Sequence, residues 1–332
     1  MLQLLRKIAF PFSLVYALIV HLRNFLYDTG VFQSKSYKTP TLCVGNLSVG
    51  GTGKTPMIEY LVRLLDGHTI AVLSRGYKRQ SKGFLMANAN SSVLDLGDEP
   101  YQLHKKFPEI TVAVDTDRRN GIAQLEALVK PEIILLDDAF QHRRVRPDFS
   151  ILLTAYGHLY TDDWYLPTGN LRDSKREARR ANIIIVTKCP EVFSEEEQTL
   201  ILQKIKPLPH QKVLFSKLEY NNVLKGEGVE HFELSTVKKK HMALVTGIAS
   251  PGPLVHHLKS LGLQFEHFEF GDHHNFSDKE IEQFGNHGMV LTTEKDYVRL
   301  KGRVKNLFYL EVAHSFGSED GIYLEQIIKS LI

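Results

Sequence analysis

The segment Thr41-Leu42-Cys43-Val44-Gly45, followed by Ser48-Val49-Gly50-Gly51-Thr52-Gly53-Lys54-Thr55, decides the reading of this chain. An apolar β-type run stops at a glycine-rich turn. From Pro56 a helix is expected, with Met57, Ile58, Leu61, Val62, Leu64 and Leu65 at near-helical spacing. Strand, glycine-rich loop and helix in this order form the context of a phosphate-binding P-loop. The glycines let backbone N–H groups turn inward and ring a phosphate, which the helix N-terminus also attracts. Ser48 through Thr55 would hold the phosphates, Lys54 would reach the β- and γ-phosphates, and the Thr55 hydroxyl would ligate Mg²⁺. Ser48 stands where the general pattern has its first glycine. An ordinary glycine-rich turn is the plainer alternative, and the order of the elements counts against it. The expectation is binding of a nucleoside triphosphate.

Outward from this loop, several short apolar runs read as buried strands: Thr69–Ser74, Thr111–Val114, Ile133–Leu136, Phe149–Thr154 and Ile183–Thr187. Helical patterns at Asp98–Phe107 and Arg118–Val129 separate some of them. The alternation predicts an α/β fold, a P-loop NTPase-type doubly wound parallel sheet. Ligands of such sheets sit at the carboxyl ends of the strands, where Gly45, Arg75, Asp115 and Asp137 fall. After Pro190 the texture changes. Glu195-Glu196-Glu197 opens a polar helix, and Lys212–Leu224 reads as an extended, hairpin-like connector. A second α/β unit follows: strand Met242–Thr246, a turn over Gly247–Pro253, a helix through Leu261, and strands Phe265–Phe270, Met289–Thr293 and Leu307–Val312. The expected organisation is an N-terminal helix over 1–26, a P-loop domain over 27–211, a β connector over 212–228 and a smaller α/β domain over 229–332.

The 332 residues are enough for two cores, and 43% hydrophobic with 24% charged residues is ordinary for a soluble globular protein. A net charge of +3 is too small to argue for nucleic acid. Cys43 and Cys189 follow apolar runs without metal-ligand spacing and read as buried thiols. The N-terminus departs from the soluble pattern. Ile8–Leu22 has no Lys, Arg, Asp or Glu and is flanked by Arg6-Lys7 and Arg23. At about fifteen residues it is shorter than the roughly 20 that span a bilayer. Two readings stand level: a helix lying in a membrane interface, and a buried first helix of the domain.

Ile133-Ile134-Leu135-Leu136-Asp137-Asp138 is an apolar strand ending in acids, about eighty residues after the P-loop. A carboxylate there holds the Mg²⁺ of the phosphates in P-loop enzymes. Ile185-Val186-Thr187-Lys188-Cys189-Pro190 begins like a guanine-reading Asn/Thr-Lys-x-Asp motif, but Pro190 occupies the place of the acid. Proline cannot accept from guanine, which favours ATP over GTP. Gly97-Asp98-Glu99-Pro100 offers an acidic pair that reads either as a helix cap or as a base with a second acid near the metal. Phe270-Gly271-Asp272-His273-His274-Asn275-Phe276 gathers histidines without the i, i+4 spacing of a metal pair. His273 could instead pair with a carboxylate across a cleft. Basic clusters at Arg75–Lys82 and Lys175–Arg180, with Arg143, Arg144 and Arg146, suit an anionic substrate or lipid headgroups when they are not simply solvated. Lys238-Lys239-Lys240 reads as surface.

These motifs, in this order, resemble the tetraacyldisaccharide 4'-kinases (lipid A 4'-kinases) of Gram-negative bacteria. The resemblance rests on Val44-Gly45-Asn46-Leu47, the run Gly50 to Pro56, Leu73-Ser74-Arg75-Gly76-Tyr77, Gly97-Asp98-Glu99-Pro100 and Asp137-Asp138-Ala139-Phe140-Gln141-His142. It continues through Leu166-Pro167-Thr168-Gly169-Asn170-Leu171-Arg172-Asp173, Asp272-His273-His274 and Thr293-Glu294-Lys295-Asp296. Two departures are mild: Ala139 replaces a frequent Gly, and Thr168–Asp173 replaces a more usual Ala-Gly-Pro-Leu-Arg-Glu, touching the presumed acceptor loop.

The resemblance implies transfer of the ATP γ-phosphoryl group, with Mg²⁺, to the 4'-hydroxyl of a tetraacyldisaccharide 1-phosphate. It implies Asp98 as base and His273 as its partner, with Lys54 at the phosphates. Thr55, Asp137 and Glu99 would stand near the metal, and Asn46, Arg75, Asp138, Gln141, His142 and Arg172 on the substrate. It also implies a peripheral place on the cytoplasmic face of the inner membrane, with no nucleic acid and no obligate protein partner, and moves the N-terminal helix toward the interface reading. Two rivals remain: a P-loop ligase or kinase on a soluble substrate, similar to dethiobiotin synthetase, and a nucleotide-switched membrane adaptor.

Overall fold

The computed structural model describes residues 6, 8–226, 229–237 and 242–332; Lys238-Lys239-Lys240 lies outside them. β-branched and leucine-rich runs bounded by turns become strands. In chain order these are β1 (Thr41–Asn46), β2 (Ile70–Ser74), β3 (Leu85–Met86), β4 (Thr111–Val114), β5 (Ile133–Asp137), β6 (Phe149–Ala155) and β7 (Ile183–Thr187). There follow β8 (Lys212–Gly226), β9 (Val229–Glu233), β10 (Met242–Thr246), β11 (Phe265–Glu269), β12 (Met289–Thr293) and β13 (Leu307–Phe316). Among the described residues they form one sheet in the order β11-β10-β12-β13-β8-β7-β6-β1-β5-β2-β4-β3, with β9 beside β8. All pairs are parallel except β3/β4, β8/β9 and β8/β13. The doubly wound parallel fold expected from the sequence is present.

β8 is the seam. Its first residues, Lys212 to Phe215, continue the P-loop sheet in parallel register with β7. From Ser216 onward it pairs antiparallel with β13, Ser216 opposite Phe316 and Gly226 opposite Phe308. β13 therefore runs four residues beyond the expected end at Val312, because its outer half has a partner that local sequence could not name. Apolar clusters fill both sides of the P-loop sheet, one around Leu136, Leu152 and Ile184, the other around Met57, Leu61, Leu135 and Ile151. Two more, around Leu244 and Leu291 and around Phe276 and Phe284, sandwich the second unit. Cys43 and Cys189 are buried free thiols, and burial pushes both up to about 12.

The P-loop helix spans Lys54–Leu64, two residues earlier than the expected start at Pro56. Gly53 stops the loop with φ +87°, which a side chain would resist, and Lys54 already carries helical geometry. The N-terminal helix spans Phe10–Asp28, 19 residues, and by length and composition is able to cross a membrane, which the shorter uncharged run did not suggest. Its orientation is inverted relative to a core helix. Ser13 and Asn24 face the protein with Val20, while Phe12 (71%), Leu18 (69%), Ile19, Leu22 and Phe25 are exposed. The reading as a buried first helix is thereby overturned.

Leu135 sits at the centre of the sheet with no exposed surface. Leu135→Ala is expected to lower unfolding stability by about 2–5 kcal/mol, read as a lower urea midpoint at unchanged slope.

Candidate active site

A cleft of about 600 Å³ opens between the P-loop sheet and the second unit. One wall is the P-loop itself. Asn46, at the end of β1, donates from Nδ2 to Thr52 Oγ1 at 3.0 Å, and the Val49 N–H donates to the Asn170 carbonyl at 2.8 Å. Gly53 keeps a close approach: a β-carbon there would stand 2.9 Å from His314 Nε2. The Gly53 carbonyl can only accept, so Nε2 at 2.9 Å carries the His314 proton, and Nδ1 accepts from the Ser216 hydroxyl at 2.9 Å. Burial brings His314 down to about 4, keeping it neutral.

The carboxylates at the end of β5 separate into two states. Asp138, at φ +49°, accepts from Arg172 Nη1 at 3.0 Å, makes a second and shorter contact with Nη2, and meets Lys54 Nζ at 3.7 Å. Burial alone would raise its carboxyl, but Lys54 and Arg172 hold it well below the usual range. Asp137 points inward and accepts from the Ser74 hydroxyl at 3.0 Å. Burial, then the charges of Glu99 and Asp138, push it up to about 7. Its Oδ1 is buried without a hydrogen-bond partner. An orphaned carboxylate oxygen beside the P-loop fits a divalent cation, as does the Thr55 hydroxyl lining the same cleft. Among the described residues no group of three or more His, Cys, Asp or Glu stands together as a metal cage.

On the opposite side Asp98 opens the helix Asp98–Lys106 and meets His273 Nδ1 at 2.7 Å. Lys295 Nζ lies 3.0 Å from His273 Nε2. An ammonium can only donate, so Nε2 accepts and the ring proton sits on Nδ1, aimed at Asp98. Burial opposes ionisation of Asp98, but the His273 hydrogen bond and the charges of Arg299 and Lys295 outweigh it, and its carboxyl is held below the ordinary value. Tyr77 packs edge-on against the His273 ring, centroids 5.1 Å apart. Lys295 also reaches Glu99 and Asp272, each at 3.1 Å. Glu99 thus meets a lysine, while its charge still bears on Asp137.

The two units are clamped behind this pair. Lys106 Nζ is 2.7 Å from Glu59 on the P-loop helix, 2.7 Å from Glu294 and 2.9 Å from Glu311 on β13. Burial and the neighbouring Glu59 push Glu294 up to about 7, while Lys106, despite its burial, is held charged by its acids.

Arg75, Asp138 and Arg172 line the cleft, the last two paired with each other. Asn46 does not: it is fully buried, braces Thr52 and accepts from Arg172. Gln141 likewise turns to the Asn46 carbonyl, 2.7 Å away, and His142 lies half-buried beside Arg118 and Arg75, lowered to about 4. Within the basic clusters, Arg143 and Arg179 bind Asp28, Arg180 binds Glu177, and Arg79 binds the Gly83 carbonyl. These four serve the framework, not an anion. Sequence reasoning missed the roles of Ser74, Arg118, Lys295, Arg299 and His314. Arg118 is buried and donates to the Asp137 carbonyl at 3.3 Å; nothing local marks it. Lys295 and Ser74 did lie within motifs, which was the available signal.

The loop Trp164–Asp173 joins the cleft to the N-terminal helix. Ser13 and Thr168 hydroxyls are 2.8 Å apart, the Tyr16 hydroxyl donates to the Arg172 carbonyl at 3.0 Å, and Arg23 pairs with Asp173 at 2.9 Å.

Residues 5–331 match the family model of the tetraacyldisaccharide-1-P 4'-kinases. A tetraacyldisaccharide 4'-kinase of Flavobacterium johnsoniae is 50% identical over 322 residues, covering 95% of this chain and 94% of that protein. One from Bacteroides thetaiotaomicron is 45% identical, covering 89% of this chain and 83% of that protein. An LpxK of Aquifex aeolicus, crystallised in complex with ATP, superposes with a TM-score of 0.80 at 33% identity and covers 98% of this chain and 99% of its own.

Because Asp137 without metal holds its proton below about pH 7, binding Mg²⁺ with nucleotide should expel that proton at pH 6 and none at pH 8. Calorimetry in buffers of different ionisation enthalpy should read about one proton released at the lower pH, and none in Asp137→Asn.

Proposed function

The chain belongs to the tetraacyldisaccharide-1-P 4'-kinase family, and from that premise we propose how its own residues move the γ-phosphoryl group of ATP to the 4'-hydroxyl of a tetraacyldisaccharide 1-phosphate, giving a bisphosphorylated lipid. The carrying observation is the Asp98–His273 contact of 2.7 Å facing the P-loop across one cleft. Lys54 and the P-loop amides bind the phosphates and spread their charge. Thr55 and Asp137 would hold Mg²⁺, which would supply charge neutralisation to the phosphates.

The acceptor hydroxyl gives its proton to Asp98. His273 keeps that carboxylate ionised and pointed, through a hydrogen bond whose direction is fixed by Lys295 on the far side of the ring. Asp98 belongs to the P-loop unit and His273 to the second unit, so the base is fully oriented only when the two face each other. That arrangement limits attack by water. Arg75 lines the cleft with no partner among the described residues, and suits an anionic group of the acceptor.

The exposed apolar face of the helix Phe10–Asp28 lies in the lipid interface, on the cytoplasmic face of the inner membrane. The acyl chains of such an acceptor stay in the bilayer, and Trp164, packed on Phe10 with centroids 5.7 Å apart, extends the face toward the loop that carries Arg172. A soluble acceptor would leave this surface without a use.

With γ-³²P-ATP, Mg²⁺ and the tetraacyldisaccharide 1-phosphate in detergent, label should appear in a bisphosphorylated lipid. Asp98→Ala should lower kcat on the order of 10²–10⁴-fold with little change in ATP binding; unchanged turnover would remove Asp98 from the chemistry. A Phe12→Asp, Leu18→Asp double variant alters exposed positions only, so its melting should stay near wild type. Its sedimentation with anionic vesicles should be lost, and retained sedimentation would refute the interface reading.

A further inference from the structure

The corner after β7 sits on the P-loop. Thr187 Oγ1 donates to the Thr52 carbonyl at 2.9 Å and also reaches the Thr154 carbonyl at 3.3 Å. The next residue, Lys188, takes φ +60°, a left-handed conformation that is uncommon for residues other than glycine. The result is an ammonium 3.9 Å from where a β-carbon on Gly51 would stand, on the rim of the cleft beside Ala249 of the second unit. Every other lysine named in this cleft has an acid: Lys54 has Asp138, and Lys295 has Glu99 and Asp272. Lys188 has none among the described residues, and burial alone draws its ammonium downward from its ordinary value. A half-buried cation with no counter-charge, held above a phosphate-binding loop by a strained backbone, is a site waiting for an anion.

We propose that Lys188 is a nucleotide-binding residue that pairs with the phosphate chain of ATP where the P-loop turns at Gly51, independently of which base the nucleotide carries. The inference rests on the P-loop reading above. Two residues later Pro190 presents no acceptor for a purine edge, so this corner supplies charge without base discrimination. Its ion pair with phosphate replaces the solvation that burial removes.

The test uses the full chain in detergent and titration calorimetry with Mg²⁺-ATP, Mg²⁺-GTP and adenosine, on wild type, Lys188→Met and Lys188→Arg. Lys188→Met should weaken ATP and GTP by the same factor, about tenfold, and adenosine by less than about twofold. In the lipid-kinase assay KM for ATP should rise in parallel while kcat stays within about threefold, and Lys188→Arg should recover most of the loss. Equal weakening of adenosine and ATP would place the lysine on sugar or base and overturn the proposal, as would unequal effects on ATP and GTP. A lowered melting temperature with unaltered ATP affinity would make the residue structural and also overturn it. If wild type binds ATP and Lys188→Met binds it as tightly, this inference alone falls. If wild type binds no nucleotide, the P-loop reading falls with it.

Discussion

Everything in the cleft depends on one ammonium group buried among three carboxylates. Lys106 ends the helix that begins with Asp98, Glu59 lies on the P-loop helix, Glu294 precedes Lys295, and Glu311 sits on β13. The group that binds phosphate, the helix that offers the base and the unit that offers its partner are therefore referenced to a single point. Such a cluster adds little net stability, because desolvation consumes most of the attraction. What it does impose is geometry: without the lysine, three acids would be left facing one another in low dielectric. The 2.7 Å contact between Asp98 and His273 is possible because the elements carrying them are registered behind it.

The P-loop was legible because its requirements are local. A tight turn around phosphate needs glycines at fixed places, and the flanking strand and helix announce themselves by periodicity. The strands of the parallel sheet were legible for the same reason, as continuous apolar runs. The outer half of β13 was not, since its residues Ala313 to Phe316 form a strand only by finding β8. The base pair was half legible. Residues alone left Asp98 open between cap and base, because its meaning comes from a histidine 175 positions away. Arg118 and His314 left no trace, each being an ordinary residue type whose role exists only in three dimensions.

The N-terminal helix shows a different limit. Hydropathy identified an apolar segment but could not say which way it faced. The structure answers through Ser13, Tyr16, Arg23 and Asn24, all of which bond to the loop over 164–173 or to the residues beside it. That loop continues into Arg172 on Asp138, and its Asn170 carbonyl receives a P-loop N–H. The surface offered to lipid and the wall of the phosphate site are thus separated by one short segment of chain.

β8 gives the molecule a mechanical property. Because a single strand of 15 residues belongs to both halves of the sheet, the halves are joined by a twisted ribbon, not a slack tether. Relative rotation of the two units has to be taken up as a change in ribbon twist, spread over many peptide units, with the ladder intact. The restoring torque grows with displacement, so the ribbon behaves as a torsion spring. A displacement of one half of the sheet is therefore carried to the other through β8 itself.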